Sequence, residues 1–260
     1  VGGCPAWRNT ERPGRTVEQV PVFSRSMNKD EFSFHNLTAL YRQSGVRELS
    51  DQDRYVIFSD LHLGDGRRYD DFLYNSQMVL SVLRDYYLRK GFGLILNGDI
   101  EELQRYRYRE IQRCWKKFYE ITDQFRSQAS LDRLVGNHDM TILDETSEEV
   151  LDGLRFNYRG QTMFVFHGHQ TSLYFEKYNH WVTRALRVFA NPLRIKNYSV
   201  SHDSAKRFKT EERVYDFSSK RKLLSIIGHT HRPLFESMSK TDPIKFEIER
   251  LCRKYPEAGA

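Results

Sequence analysis

The stretch YVIFSDLHLGD, residues 55–65, decides how the chain is read. Four apolar or aromatic residues, Tyr55 to Phe58, run directly into Asp60, His62 and Asp65. A short run rich in β-branched and aromatic residues reads as a buried strand. Alternate side chains just beyond a strand face the same way, so Asp60 and His62 converge on one point. Four further runs of this kind occupy residues 92–96, 131–135, 163–166 and 223–227. Between the first two, Phe72, Leu73, Val79, Leu80, Leu83, Tyr86 and Tyr87 recur at helical spacing. They predict an amphipathic helix over 70–90, capped by Asp70 or Asp71 and closed by Gly91. Between the second and third, Ile111, Trp115, Phe118, Ile121 and Phe125 predict another helix. Strands alternating with helices give an α/β fold.

Every one of the five runs ends in groups able to bind metal. The first yields Asp60 and His62; the second, Asp99 and Glu102; the third, Asn137, His138 and Asp139. The fourth ends in His167 and His169, the fifth in His229 and His231. In α/β sheets, sites form beyond the carboxyl ends of strands. A glycine accompanies each cluster (Gly64, Gly98, Gly136, Gly168, Gly228) and permits the tight turns that gather the side chains. Taken singly, an Asp-x-His is a turn with hydrogen-bonded caps and a Gly-Asp pair a plain turn. Five consecutive strands ending this way point instead to a metal site. The donors Asp60, His62, Asp99, Asn137, His167, His229 and His231 mix oxygen and nitrogen without sulfur. Such a set suits Mn²⁺, with Fe or Zn²⁺ as alternatives, better than Mg²⁺. Seven donors exceed the need of one ion and serve two ions that share a carboxylate.

Composition sets the outer bounds. A chain of 260 residues, 39% hydrophobic, can bury a core. No apolar run is long enough to span a bilayer, and residues 1–10 lack the layout of a signal peptide. Cys4, Cys114 and Cys252 are too few and too scattered for a disulfide framework, which favours a reducing cytoplasm. The net charge of +6 leans toward anionic partners without choosing among phosphate esters, nucleic acid and acidic membranes. Residues 1–50 are polar and irregular and read as an N-terminal extension with one short helix near 31–42. The opening Val reads as a trimmed start.

The segments SDLHLGD, NGDIEE, GNHD, HGH and GHTHRP, in this order, resemble the signature set of the calcineurin-like metallophosphoesterase family. The resemblance covers residues 55–235 and implies a four-layer α-β-β-α sandwich over 51–260, with a helical insert at about 172–220. It implies two divalent ions. Asp60, His62, Asp99 and His231 would hold the first; Asp99, Asn137, His167 and His229 the second. His138 would contact the phosphate and assist the leaving group, with Asp139 orienting it, and Glu102 and His169 would orient ligands from behind. The activity implied is direct hydrolysis of a phosphodiester, pyrophosphate or phosphomonoester by a hydroxide held between the metals. An alternative is a nuclease of the same fold; another is a catalytically inactive binding scaffold.

The substrate is where the sequence is least specific. Residues 172–190 place Tyr178, Trp181, Val182, Ala185, Leu186 and Phe189 on one helical face. They read as an ordinary core helix, or as a lid beside the metals whose apolar face holds an acyl or aromatic part of the substrate, with peripheral contact to the inner face of a membrane through the same residues. An insert here followed by GHTHRP is similar to the UDP-2,3-diacylglucosamine pyrophosphohydrolase branch, whose fourth motif reads His-Gly-Asp where this chain has His167-Gly168-His169. Residues 105–120 interleave arginine with tyrosine, as a nucleic-acid surface would and as a solvated helix face would. After His231 the family adds strands, yet 242–258 reads as a helix. Either the sandwich closes differently or its last strands are missing.

Overall fold

Strand β3 (Gly93–Asn97) is buried along its whole length, and the molecule is layered around it. The computed structural model describes residues 28–172, 204–231 and position 248. In chain order the preceding elements are α1 (Lys29–Gln43), β1 (Gly45–Glu48), β2 (Tyr55–Phe58) and α2 (Ser76–Ser81). After β3 come α3 (Tyr108–Cys114), α4 (Lys116–Gln128), β4 (Leu131–Leu134), α5 (Ile142–Glu145), β5 (Gly153–Tyr158), β6 (Gln161–Phe166), α6 (Ser204–Arg221) and β7 (Leu224–Ile226). The fold is mixed α/β.

Two sheets form, ordered β2-β3-β4 and β1-β5-β6-β7. The first is wholly parallel, with Tyr55 opposite Gly93 and Leu94 opposite Leu131. In the second, β5 and β6 make an antiparallel hairpin, while β1 and β7 join it in parallel. The hairpin turns at Arg159 (φ 48) and Gly160 (φ 80), the left-handed pair that matches strand twist.

Side-chain alternation along β3 explains why its run is uninterrupted. Ile95 packs with Leu154, Phe156 and Val165 of the other sheet, while Leu94 and Leu96 meet Val79, Leu83, Phe118 and Phe125 of the helices. A strand covered on both faces needs apolar residues at every position. On the far side, α1 and α6 cover the second sheet: Leu37, Leu40, Val214 and Phe217 pack on Phe164 and Phe166. Opposed edges are tied by Arg47 of β1, whose guanidinium makes a two-fold contact with the buried Asp132 of β4.

Several expectations are corrected. The short helix expected near 31–42 is α1, capped by Asn28, but the segment read as an extension also supplies β1, an edge strand of the second sheet. The helix expected over 70–90 begins at Ser76 instead, behind Asn75. Asp70 is not its cap: its buried carboxylate accepts from Gly66 N (2.7 Å), Phe72 N (3.0 Å) and Trp115 Nε1 (2.9 Å). Beyond Ser81 the helix widens to a π-helix at Val82–Tyr87 and tightens at Leu88–Lys90 before stopping at left-handed Gly91, as expected. The second expected helix is two, α3 and α4, broken at Trp115, whose ring packs 4.8 Å from that of Phe72. The expected apolar face of 172–190 and the readings of 233–258 lie outside the described residues, apart from positions 172 and 248.

Candidate metal centre

The loops after β2 and β3 prolong the parallel ladder past the strand ends. Asp60 N donates to Gly98 O (3.1 Å), His62 N to Asp99 O (3.0 Å) and Leu63 N to Ile100 O (2.8 Å). Asp60, His62, Asp99, His229 and His231 all have φ between 50 and 67, the left-handed region. Only Arg159 and Lys222 share it among the other described non-glycine residues. Such backbone costs on the order of 1–3 kcal/mol per residue, and it persists where the surroundings enforce it. Strain is thus concentrated at five of the seven donors named from the sequence. Close approach supplies the enforcement. A Cβ at Gly136 would run into the backbone and carboxylate of Asp99, and one at Gly98 would sit 2.6 Å from the His167 ring.

Three groups of side chains bring potential ligand atoms within 4.8 Å of one another: Asp60, His62 and His231; Asp99, His167 and His229; and His62, Asp99 and His138. These groups could hold a metal ion. His231 Nε2 stands 3.1 Å from Asp60 Oδ1 and 3.3 Å from His62 Nε2. His167 Nε2 stands 3.1 Å from Asp99 Oδ2 and 4.0 Å from Asp60 Oδ1, so the two outer groups adjoin. All but Asp60 and His231 are buried. His167 Nδ1 bonds to Asn97 O at 2.8 Å, which leaves Nε2 as its metal-facing nitrogen.

One buried atom tests the fit. Asn137 Oδ1 lies buried with no hydrogen bond among the described residues. Leaving a buried polar atom bare costs roughly 1–3 kcal/mol, and a cation meets that need. Asn137 is fixed through its backbone, where Gln104 Nε2 donates to its carbonyl at 2.9 Å. The donors are carboxylate, amide oxygen and imidazole without sulfur, so they suit a borderline divalent ion.

Glu102 organises the histidines. Its carboxylate meets His62 Nδ1 at 3.2 Å and His138 Nδ1 at 2.8 Å. His138 N donates to Asp99 Oδ1 at 2.7 Å. The sequence reading assigned the orienting of His138 to Asp139; the structure gives it to Glu102. Asp139 instead accepts from Gly136 N (2.6 Å) and Ile100 N (2.9 Å), tying the loops after β3 and β4 together. It lies inside the turn that follows β4, whose backbone donors claim its oxygens. His169 is buried, its ring 5.5 Å from that of His167, and belongs to none of the three groups. Asp65 accepts from Arg67 N at 3.1 Å and forms a turn.

A buried ion pair behind the site escaped the sequence reading. Arg133 of β4 pairs with Glu101, which also accepts from Tyr119 Oη at 2.8 Å. Arg133 inside the run LDRL was the available signal, since a buried strand tolerates a charge only when it is paired.

Burial opposes every charge here. At His167, His138, Asp60 and Glu102 neighbours override it, while at His229, His169 and Asp139 burial prevails and favours the neutral form. For His167, burial lowers the pKa but Asp99 and Asp60 raise it to about 10; for His138, Glu102 and Asp99 overcome burial and raise it to about 9. Burial raises Asp60 and Glu102, yet the histidines bring both down to about 2. Without metal, then, the carboxylates retain imidazolium protons on His138 and His167, and a divalent ion would displace the one on His167, a candidate donor. This has a consequence for stability. Between pH 6.5 and 9–10 the metal-free native state keeps protons at His138 and His167 that the unfolded chain has released. Its melting temperature is therefore expected to fall as pH rises from 7 to 10. Metal-saturated protein, with the His167 proton displaced and the His138 proton kept, is expected to show a shallower slope. Parallel thermal melts with chelator and with Mn²⁺ check it, and equal slopes would contradict it.

No family model and no curated protein matches the chain.

Proposed function

We propose that the chain is a two-metal phosphoesterase on a four-layer α-β-β-α sandwich of the calcineurin-like kind. The observation that carries the reading is the pair of donor groups, Asp60–His62–His231 and Asp99–His167–His229, adjoining at Asp99 and framed by left-handed backbone. Asp60, His62, Asp99 and His231 would hold one divalent ion; Asp99, Asn137, His167 and His229 the other, with Mn²⁺ preferred and Fe or Zn²⁺ the alternatives. Bound there, the pair supplies an activated water and neutralises charge on a phosphoryl group.

The chain's own residues do the rest. Glu102 holds Nδ1 of His138, so Nε2 is the nitrogen left to donate to a phosphoryl or departing oxygen. Because the neighbouring carboxylates raise the His138 pKa, the ring carries a proton to give at neutral pH. Asp99 Oδ1, by accepting from His138 N, fixes that ring against the metal groups. Asp139 acts at one remove, holding Gly136 and Ile100 and so the spacing between loops.

The substrate would be a phosphorylated molecule of modest size. The nucleic-acid reading of 105–120 loses part of its support, because Tyr108 is 6% exposed and offers no ring for a base to stack on. Among the described residues no helix is long and apolar enough to cross a membrane. The test is hydrolysis of bis-p-nitrophenyl phosphate and p-nitrophenyl phosphate by Mn²⁺-loaded protein. Metal-dependent turnover that chelator abolishes is expected. Metal binding without turnover on these or on a panel of natural phosphate esters would favour the inactive scaffold.

A further inference from the structure

A cleft of about 880 Å³ opens between α3 and α5, lined by Arg107, Arg109, Arg113 and Lys116, with Glu110 and Glu145 among its walls. Four cations face two carboxylates there. Glu110 is partly spent as a helix-start acceptor for Arg107 N (3.4 Å), and Lys116 reaches Glu120 at 3.4 Å. Arg107, Arg109 and Arg113 are exposed and enter no ion pair among the described residues. Excess positive charge in a concave surface raises the local potential and concentrates anions.

The cleft adjoins the metal centre through both of its walls. Tyr106 N donates to Glu102 O at 3.0 Å, and Arg107 is the next residue, about 3.8 Å further along the backbone. On the other wall, α5 starts three residues after Asp139, and Ile142 N donates to Asp139 O at 2.8 Å. Backbone hydrogen bonds thus link both walls to the loops that carry Glu102 and Asp139.

We propose that the cleft is an anion subsite for a second phosphate of the substrate, making the chain selective for molecules with two or more phosphates. The inference rests on the metal-centre reading for the position of the reacting phosphate, but not for the binding itself. Guanidinium groups suit the role because they bind phosphate in a two-fold manner and stay charged.

The test separates the two. Tripolyphosphate is titrated calorimetrically, in chelator, into the unmodified chain, the Arg109→Glu/Arg113→Glu double variant and Asp99→Asn. Binding weakened by salt, and reduced at least about tenfold by the double variant, is expected, with Asp99→Asn binding as well as the unmodified chain. With Mn²⁺, the double variant should raise KM for a dinucleoside polyphosphate by about the same factor and leave bis-p-nitrophenyl phosphate unaffected. Absent binding, or equal binding by the double variant, overturns the subsite. A short single-stranded oligonucleotide that binds while tripolyphosphate does not would overturn it in favour of a nucleic-acid surface. If binding follows the expected pattern but no substrate turns over, the subsite stands and the phosphoesterase reading falls.

Discussion

Asp99→Asn is expected to lower Mn²⁺-dependent phosphodiester turnover by at least about a thousandfold. Asp99 is the one carboxylate present in two of the three groups, with one oxygen facing His167 Nε2 and the other accepting from His138 N. The amide preserves shape and can preserve the His138 contact, so the fold should survive. What it removes is the negative charge that lets two cations sit close together. Losing stabilisation of roughly 4 kcal/mol in the transition state corresponds to about three decades in rate. The control is the melting temperature of the metal-free variant. That variant should still show one cooperative transition, at a lower temperature, because the histidines hold the Asp99 carboxyl well below its usual range and its charge therefore stabilises the metal-free fold. Retained activity would remove Asp99 from the centre of the site.

Glu102→Gln is the second large effect, and it acts through position and charge together. The carboxylate grips His62 Nδ1 and His138 Nδ1 at once. Glutamine offers one accepting oxygen where the carboxylate offers two, and it carries no charge to hold a proton on His138. A loss of about 10²–10⁴ in kcat is expected from the impaired proton donor, with metal affinity about 10–100-fold weaker through His62. The sign of the pH effect follows from the electrostatics. Glu102 raises the His138 pKa, so removing its charge lowers it, and the alkaline limb of the kcat profile moves to lower pH. A purely structural role would reduce activity at every pH without moving that limb.

The site-bearing strands were legible for different reasons. Strand β3 is buried on both faces, which forces an unbroken apolar run, and β4 and β6 are buried toward the ends that carry the site. Strand β2, only half-buried, is marked by its β-branched and aromatic residues. Strands β1 and β5 were not. Gly45–Glu48 is an exposed edge with little to hide. Gly153–Tyr158 buries Leu154 and Phe156 but turns Arg155 and Asn157 outward, which reads as loop without its partner β6 in view. The start of α2 was misplaced because Asp70 has the chemistry of a cap and a different use, as acceptor for two backbone amides and the Trp115 indole. The exchange of roles between Asp139 and Glu102 has the same origin. Adjacency in sequence favours Asp139, yet the turn after β4 directs its carboxylate back to Gly136 N and Ile100 N. That the Asp and His side chains at the strand ends come together could be read, because strand ends in such a sheet converge. Their left-handed backbone could not, since the enrichment of Asp and His in that region is too weak to single out a position.

The most direct measurement is anomalous scattering from crystals grown or soaked in Mn²⁺. The account predicts two peaks about 3.5–4 Å apart. One should lie among Asp60, His62 and His231, the other among Asn137, His167 and His229, with Asp99 in contact with both. A single peak, or two that leave Asp99 and Asn137 uncoordinated, would contradict it.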